Sequence, residues 1–447
     1  MLVVASAWCA TTSLAQSVRP TLAGYYPDWS RGSYPASVIA YQDLSHIVHA
    51  FLIPNADGSL GGTTGFAYPQ LVQNAHQSGV MVVVSLGGWG QSDGFSPMAA
   101  DTAARHRFVQ NVKAFCQTNH YDGVDLDWEY PATAADRANL TLLVHELRQS
   151  FDSVQPPLSI SLAVPAGDWT GKWFDFTSLK NDVDWLGIMT YDFYGSWSST
   201  SGPNSPLYGS WSTNTQGWID DSYTYYKVTR NVPADKLLIG IPFYGWVFNA
   251  SAMYGKSTGA SQRAYLSIAP LLTQGWTRYW DSQGAVPYLI NAGLTQVISY
   301  DDTASLRMKA DYILQKGIRG AIIWSIDQDY LNGGQPLLTA LGERLGMTSD
   351  VPSGDAANVS ASFILSQNYP NPFNPETRIA YTIGGASEVK LAVYDVLGRE
   401  VAVLVSERKA PGSYQVKLDG SNLVSGVYLY RLQAGDFVQT KRLVLLK

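Results

Sequence analysis

Between residues 20 and 325, short apolar runs alternate with longer helix-like stretches. The runs are Leu22–Tyr26, Ile47–Leu52, Val80–Leu86, Gly123–Glu129, Leu158–Val164, Trp185–Tyr191, Leu237–Phe243 and Gly320–Trp324. Near-continuous apolar runs of this length suit strands covered on both faces. Asp101–Cys116, Ala132–Phe151 and Ser305–Lys316 read as helices among the spacers. Strand then helix, repeated, predicts a parallel sheet, and eight repeats close a TIM (β/α)8 barrel over residues 18–348. Residues 246–297 break the rhythm and carry Tyr279-Trp280-Asp281 and Val286-Pro287-Tyr288-Leu289, which predicts a small α+β insertion near the rim. Residues 349–361, rich in Ser, Pro, Gly, Asp and Asn, read as a linker. From 362 to 447 short alternating runs such as Leu391–Tyr394, Ser413–Val416, Val427–Tyr430 and Leu443–Leu446 predict a small β-sandwich.

Residues 1–15 are apolar and small and end Ser13-Leu14-Ala15, which suits a signal peptide cut before Gln16. The basic residues that usually open such a leader are missing, as in one that starts further upstream, and the run is too short to span a bilayer. Of the two cysteines, Cys9 falls in that leader, so Cys116 is left without a disulfide partner.

Lys and Arg number 30 against 36 Asp and Glu, a net charge of −6. With no basic run to track a phosphate backbone, nucleic acid is excluded as a partner. From residue 361 on the balance reverses, with 10 basic and 7 acidic residues, which sets the tail apart from the barrel. The 14 Trp and 27 Tyr fill cores but also suit stacking on the apolar faces of sugar rings.

The chemistry concentrates in Tyr121-Asp122-Gly123-Val124-Asp125-Leu126-Asp127-Trp128-Glu129-Tyr130-Pro131. Alternation puts Asp125, Asp127 and Glu129 on one face and Val124, Leu126 and Trp128 on the other. An acidic edge strand would not flank its acids with Val, Leu and Trp, and a calcium loop would place Gly and Asn or Asp between its ligands. On a barrel strand the acidic face points inward, with Glu129 nearest the C-terminal rim where barrel enzymes keep their chemistry. Inward neighbours are about 6.6 Å apart, so Asp127 supports Glu129 and Asp125 supports Asp127. Three such carboxyls share at least one proton, and Glu129 is placed to pass it to a substrate.

The string Asp122–Pro131 resembles the catalytic strand of glycoside hydrolase family 18, the chitinase family. Other rim segments resemble the same family: Ser85-Leu86-Gly87-Gly88-Trp89, Met189-Thr190-Tyr191-Asp192, Gly240-Ile241-Pro242-Phe243-Tyr244-Gly245 and Trp324-Ser325-Ile326-Asp327. The resemblance implies that Glu129 protonates the glycosidic oxygen and that Asp127 holds the 2-acetamido nitrogen, with Asp125 balancing charge beneath it. It implies that Tyr191 binds the acetamido oxygen and that Trp324 floors the sugar at the cleavage point. Tyr25, Trp29, Trp89, Met189, Asp192 and Tyr244 match further groove positions. Where many members carry Arg after Tyr-Gly, this chain has Trp246, which implies stacking in place of a charged hydrogen bond.

A second resemblance covers the tail. Asn368-Tyr369-Pro370-Asn371-Pro372-Phe373-Asn374-Pro375, Tyr394-Asp395-Val396-Leu397-Gly398-Arg399, Gly426-Val427-Tyr428 and Lys441–Lys447 resemble the C-terminal sorting domain of type IX secretion cargo. The alternative is a carbohydrate-binding sandwich, against which residues 346–447 hold no Trp. Together the two resemblances imply a secreted or surface-attached monomeric endo-chitinase. It would act on chitin or chito-oligosaccharides by substrate-assisted retaining catalysis, without metal or cofactor, and would meet the secretion machinery through its tail. An endo-β-N-acetylglucosaminidase acting on glycoprotein glycans or peptidoglycan, and a non-catalytic chitin-binding lectin, remain as alternatives.

Overall fold

The structure, a computed structural model, describes residues 20–210, 217–347 and 364–447, the last without 366–367, 369–370, 372, 384–385, 396–397, 411 and 436. The expected leader, with Cys9, and the expected linker lie outside the described residues. The chain divides into two compact units, Met1–Ser349 and Asp350–Lys447.

In the first unit eight parallel strands form the barrel: β1 (Thr21–Pro27), β2 (His46–Pro54), β3 (Met81–Gly87), β4 (Gly123–Asp127), β5 (Ser159–Pro165), β6 (Trp185–Met189), β7 (Leu237–Pro242) and β8 (Gly320–Trp324). Each pairs with its neighbour in sequence, and β1 pairs with both β2 and β8, so the sheet closes. Strand alternation separates two cores. Leu22, Ile47, Val82, Val124, Leu126 and Ile239 face the surrounding helices. Ala23, Tyr25, Val48, Val83, Trp185, Leu238 and Ile322 fill the barrel interior.

The helices start where their sequences supply caps. Thr102–Asn119 begins after Asp101, whose carboxylate accepts from Ala104 N at 2.7 Å. Ala134–Asp152 begins after Thr133, which accepts from Asp136 N at 3.0 Å. Thr303–Lys316 opens on a capping box between Asp302 and Ser305 and ends at Gly317 in the left-handed region. Such caps each contribute about 1 kcal/mol.

The break in the rhythm is a five-stranded antiparallel sheet, in spatial order Ala260–Ala264, Tyr244–Phe248, Val297–Ser299, Val286–Asn291 and Trp276–Asp281, with a one-turn helix at Tyr265–Ile268. It leaves the barrel two residues after the end of β7, so its first strand begins at Tyr244 rather than 246. One face packs Tyr244, Trp246 and Phe248 with Phe193 and Tyr194 from the loop after β6, and so stands beside the rim.

The second unit holds two antiparallel sheets. One pairs Ile364–Leu365, Glu376–Ile383 and Gly412–Asp419; the other runs Glu400–Lys409, Ser387–Tyr394, Gly426–Ala434 and Phe437–Leu445. Its own apolar cluster includes Ile379, Leu391, Val393, Tyr430, Leu432 and Leu443.

Candidate active site

Register builds the base of the site. Asp125 on β4 lies opposite Ser85 on β3 and Ser161 on β5, and equivalent positions of parallel strands point the same way. Asp125 is buried and accepts from Ser161 Oγ at 2.6 Å, Ser85 Oγ at 2.8 Å and the Tyr25 hydroxyl at 2.8 Å. Burial still raises its pKa above the ordinary carboxylate range, against the pull of these three donors.

Asp127 ends β4, and the apolar run predicted through Glu129 stops pairing there because the rim loops take over its backbone. Asp127 O accepts from Gly88 N at 2.7 Å and Ser92 Oγ at 3.1 Å, while Glu129 N donates to Ser92 Oγ at 3.0 Å. The close approach needs glycine. Gly87 has φ +99°, and a Cβ there would lie 2.4 Å from Asp127 O; at Gly88, φ +86°, it would meet the Phe51 ring at 2.9 Å. Trp128 turns outward to stack on Phe95 at 5.2 Å, which keeps Glu129 on the rim side.

The Asp127 carboxyl is buried, and its Oδ1 has no hydrogen-bond partner among the described residues. Burial, then the charges of Glu129 and Asp125, push its pKa well up. Glu129 is half-buried. Burial, with a further push from Asp192 and an opposing hydrogen bond from Tyr130, raises it to about 7. A carboxyl that keeps a proton near neutrality at a barrel rim is fitted to general-acid work.

β6 brings the second wall. It ends at Met189, half-buried, and the chain turns through Tyr191 and Asp192, the latter in the left-handed region at φ 58°. Asp192 Oδ1 accepts from the Tyr244 hydroxyl at 2.6 Å and from Trp246 Nε1 at 2.8 Å. Burial raises the Asp192 carboxyl, and these two donors oppose the rise.

Aromatic rings line the opening. Trp324, half-buried at the end of β8, stacks on Phe51 at 5.7 Å and meets Tyr25 edge-on at 5.2 Å. Trp29 and Trp89 are 64% and 80% exposed, available as faces for a sugar ring. Tyr25 and Tyr244 lie deeper: both are buried, with hydroxyls spent on Asp125 and Asp192, so each acts through a carboxylate rather than as an open face.

Residues 21–329 match the model of glycosyl hydrolases family 18. The chain belongs to that family. Residues 367–446 match the model of a secretion system C-terminal sorting domain. A probable endochitinase of Caenorhabditis elegans is 35% identical over 59% of this chain and 48% of its own length. An endochitinase of Manduca sexta is 29% identical over 72% of this chain and 66% of its own. The chain thus spans about half to two thirds of the length of these relatives. Among solved structures, a Group IV chitinase of Ostrinia furnacalis in complex with allosamidin aligns with TM-score 0.68 and 28% identity over 74% of this chain and all of that one. Human YKL-39, a pseudo-chitinase with retained chitooligosaccharide binding, shares the fold at TM-score 0.68 and 24% identity over 73% of this chain and all of that one.

Within this family 18 barrel, Trp246 does not supply the open stacking face expected from its sequence position. It is 5% exposed and uses its indole N–H on Asp192, while the ring edge-on to it at 5.5 Å, Trp197, is 59% exposed. Several contributors were not singled out from the sequence. Ser161 had a usable signal, a hydroxyl inside the apolar run Leu158–Val164, whereas Ser92, Phe51 and Asn204 join the site only through tertiary contacts.

Proposed function

We propose that the chain is an exported retaining endo-chitinase that hydrolyses β-1,4 bonds in N-acetylglucosamine polymers, with the substrate's own acetamido group as nucleophile. The observation that carries this reading is the carboxyl row that runs along β4 and just past its end. Asp125 is fully engaged, Asp127 has an unspent oxygen, and Glu129 holds its proton near neutral pH. A retaining enzyme of the usual kind needs a second carboxylate about 5 Å away across the scissile bond. Asp127, the last residue of β4, lies below Glu129 on the same stretch of chain and is badly placed for attack from the opposite face, and Asp192 Oδ1 is occupied by two donors.

Glu129 then gives its proton to the glycosidic oxygen as the anomeric C–O bond breaks, and the acetamido carbonyl oxygen bonds to the anomeric carbon to form an oxazolinium ion. Asp127 Oδ1 accepts the acetamido N–H, which satisfies its missing partner, and Tyr191 holds the carbonyl oxygen where charge changes. Water, losing a proton to the Glu129 carboxylate, reopens the ring from the face the leaving group vacated. The product keeps the β configuration. Trp324, Trp29 and Trp89 provide sugar-facing rings, and the insertion sheet forms a wall suited to a linear polymer. The tail, as a sorting domain, directs the protein out of the cell.

The test incubates the purified protein with chitin oligomers, a glycoprotein bearing N-linked glycans and peptidoglycan, and identifies products by mass and first-formed anomer by NMR. Chito-oligosaccharides released with β configuration are expected, with no cleavage between glucosamine units of fully deacetylated chitosan. Cleavage of that chitosan as fast as chitin, or a glycosyl adduct on Asp127, would overturn the mechanism. Release of glycans alone would favour the endo-β-N-acetylglucosaminidase reading, and binding without products a lectin.

A further inference from the structure

The backbone that carries Tyr191 and Asp192 is gripped from both sides by one dipeptide. A side chain with a Cβ is uncommon in the left-handed region, where Asp192 sits at φ 58°. On the far side, Asn204 Oδ1 accepts from Asp192 N at 2.9 Å, and Asn204 Nδ2 donates to Tyr244 O at 3.0 Å. On the near side, Ser205 Oγ donates to Thr190 O at 2.6 Å. The Thr190 carbonyl belongs to the peptide plane that starts Tyr191, so its direction sets where the Tyr191 side chain begins.

Behind Ser205 lies a buried ion pair. Lys309 Nζ, on the helix Thr303–Lys316, donates to Asp301 Oδ2 at 2.7 Å and to Ser205 Oγ at 3.0 Å, and Asp301 Oδ1 accepts from Ser305 Oγ at 2.7 Å. Asn204, Ser205, Asp301, Ser305 and Lys309 are all buried. Thr190 O can only accept, so Ser205 spends its single proton there and must accept from Lys309. The chain of bonds therefore has one direction. A buried pair of this kind is weak evidence for stability, since apolar replacements are often as stable, but it specifies geometry when a further group is bonded to it.

We infer that Lys309, acting through Ser205, is a positioning residue that fixes the Thr190–Tyr191 peptide and so aims the Tyr191 hydroxyl at the substrate's acetamido group. The inference rests on the role proposed above for Tyr191. It is tested with a double-mutant cycle on the full chain, using a fluorogenic N,N′-diacetylchitobioside, with Ser205→Ala, Tyr191→Phe and the pair together. Ser205→Ala should lower kcat by about ten- to a hundredfold, with KM within about twofold and the thermal midpoint lowered by only a few degrees. In the Tyr191→Phe background the same change should cost less than about twofold, because the hydroxyl being aimed is gone. Should Ser205→Ala not fold, Ser205→Cys puts a somewhat larger group, a weak donor and acceptor, in its place and enters the same cycle. Equal losses in both backgrounds, or an unchanged kcat in the single variant, would make Ser205 a packing anchor and overturn the inference alone. Wild-type turnover in Tyr191→Phe by itself would overturn the role of Tyr191 and the inference with it.

Discussion

Replacing Glu129 by Gln keeps the volume and removes the transferable proton. General acids contribute roughly 10²–10⁴-fold, so kcat should fall by about that factor while oligomer affinity stays within a few-fold. The structure also fixes where on the pH scale the wild-type acid acts. With its carboxyl at about 7 instead of the usual 4.5, Glu129 keeps its proton in about half the molecules at pH 7, where an ordinary glutamate would keep it in about 0.3%. Since it is the protonated form that works, activity should be high on the acid side and decline as pH rises through about 7. Between pH 6 and 8 the protonated fraction drops about tenfold, and kcat/KM should follow it. The assay is release of fluorophore from a chito-oligosaccharide glycoside across pH 4–9, with binding to the Gln variant followed by tryptophan fluorescence. Turnover in the variant within about tenfold of wild type, or a wild-type profile flat from pH 6 to 8, would refute the assignment.

Three further outcomes follow from the same geometry. Ser161→Ala removes one of the three hydroxyls on Asp125; stability in urea should fall by about 1 kcal/mol, and loss of a donor that favours the charged form should move the acid limb of the pH profile upward. Trp246→Phe removes the indole donor from Asp192, so that carboxyl should rise further and be charged less often; its push on Glu129 then weakens, and the alkaline limb of the kcat/KM profile should move to lower pH. Deleting residues 350–447 should leave hydrolysis of soluble oligomers intact, because each unit has its own apolar cluster, while culture-medium assays should show that the protein no longer appears outside the cell.

The barrel was legible in the sequence because each strand is apolar almost throughout and each long helix carries its cap in the chain, as at Asp101, Thr133 and Asp302. The acidic row was legible because period-two alternation is a local property, readable from Val124 to Glu129 without any partner. What could not be read is what other segments bring. The end of β4 at Asp127, rather than Glu129, depends on Gly88 and Ser92 reaching it from the loop after β3. The direction of the Trp246 ring depends on Asp192, a residue 54 positions away, offering an acceptor. Asn204 and Ser205 lie in a polar, glycine-bearing loop that has no period, and their role exists only where β6, the insertion sheet and the helix Thr303–Lys316 converge.

The partners of Asp125 also decide how the row can work. All three are hydroxyls, from Tyr25, Ser85 and Ser161. A lysine or arginine in that position would hold Asp125 as a carboxylate at every working pH and leave the row one fixed charge. Hydroxyls turn. They donate to a carboxylate, and a serine can instead accept from a carboxylic acid, so the site is satisfied in either state. Asp125 can therefore gain or lose a proton without stranding its own oxygens, whereas Asp127 Oδ1 is the buried oxygen of the row still without a partner among the described residues. Lys309, the one buried lysine among the described residues, lies outside the row and is bonded to Asp301 and Ser205. On the role proposed for Glu129, a row whose base is held by hydroxyls and by no cation leaves its carboxyls free to change charge beneath the general acid.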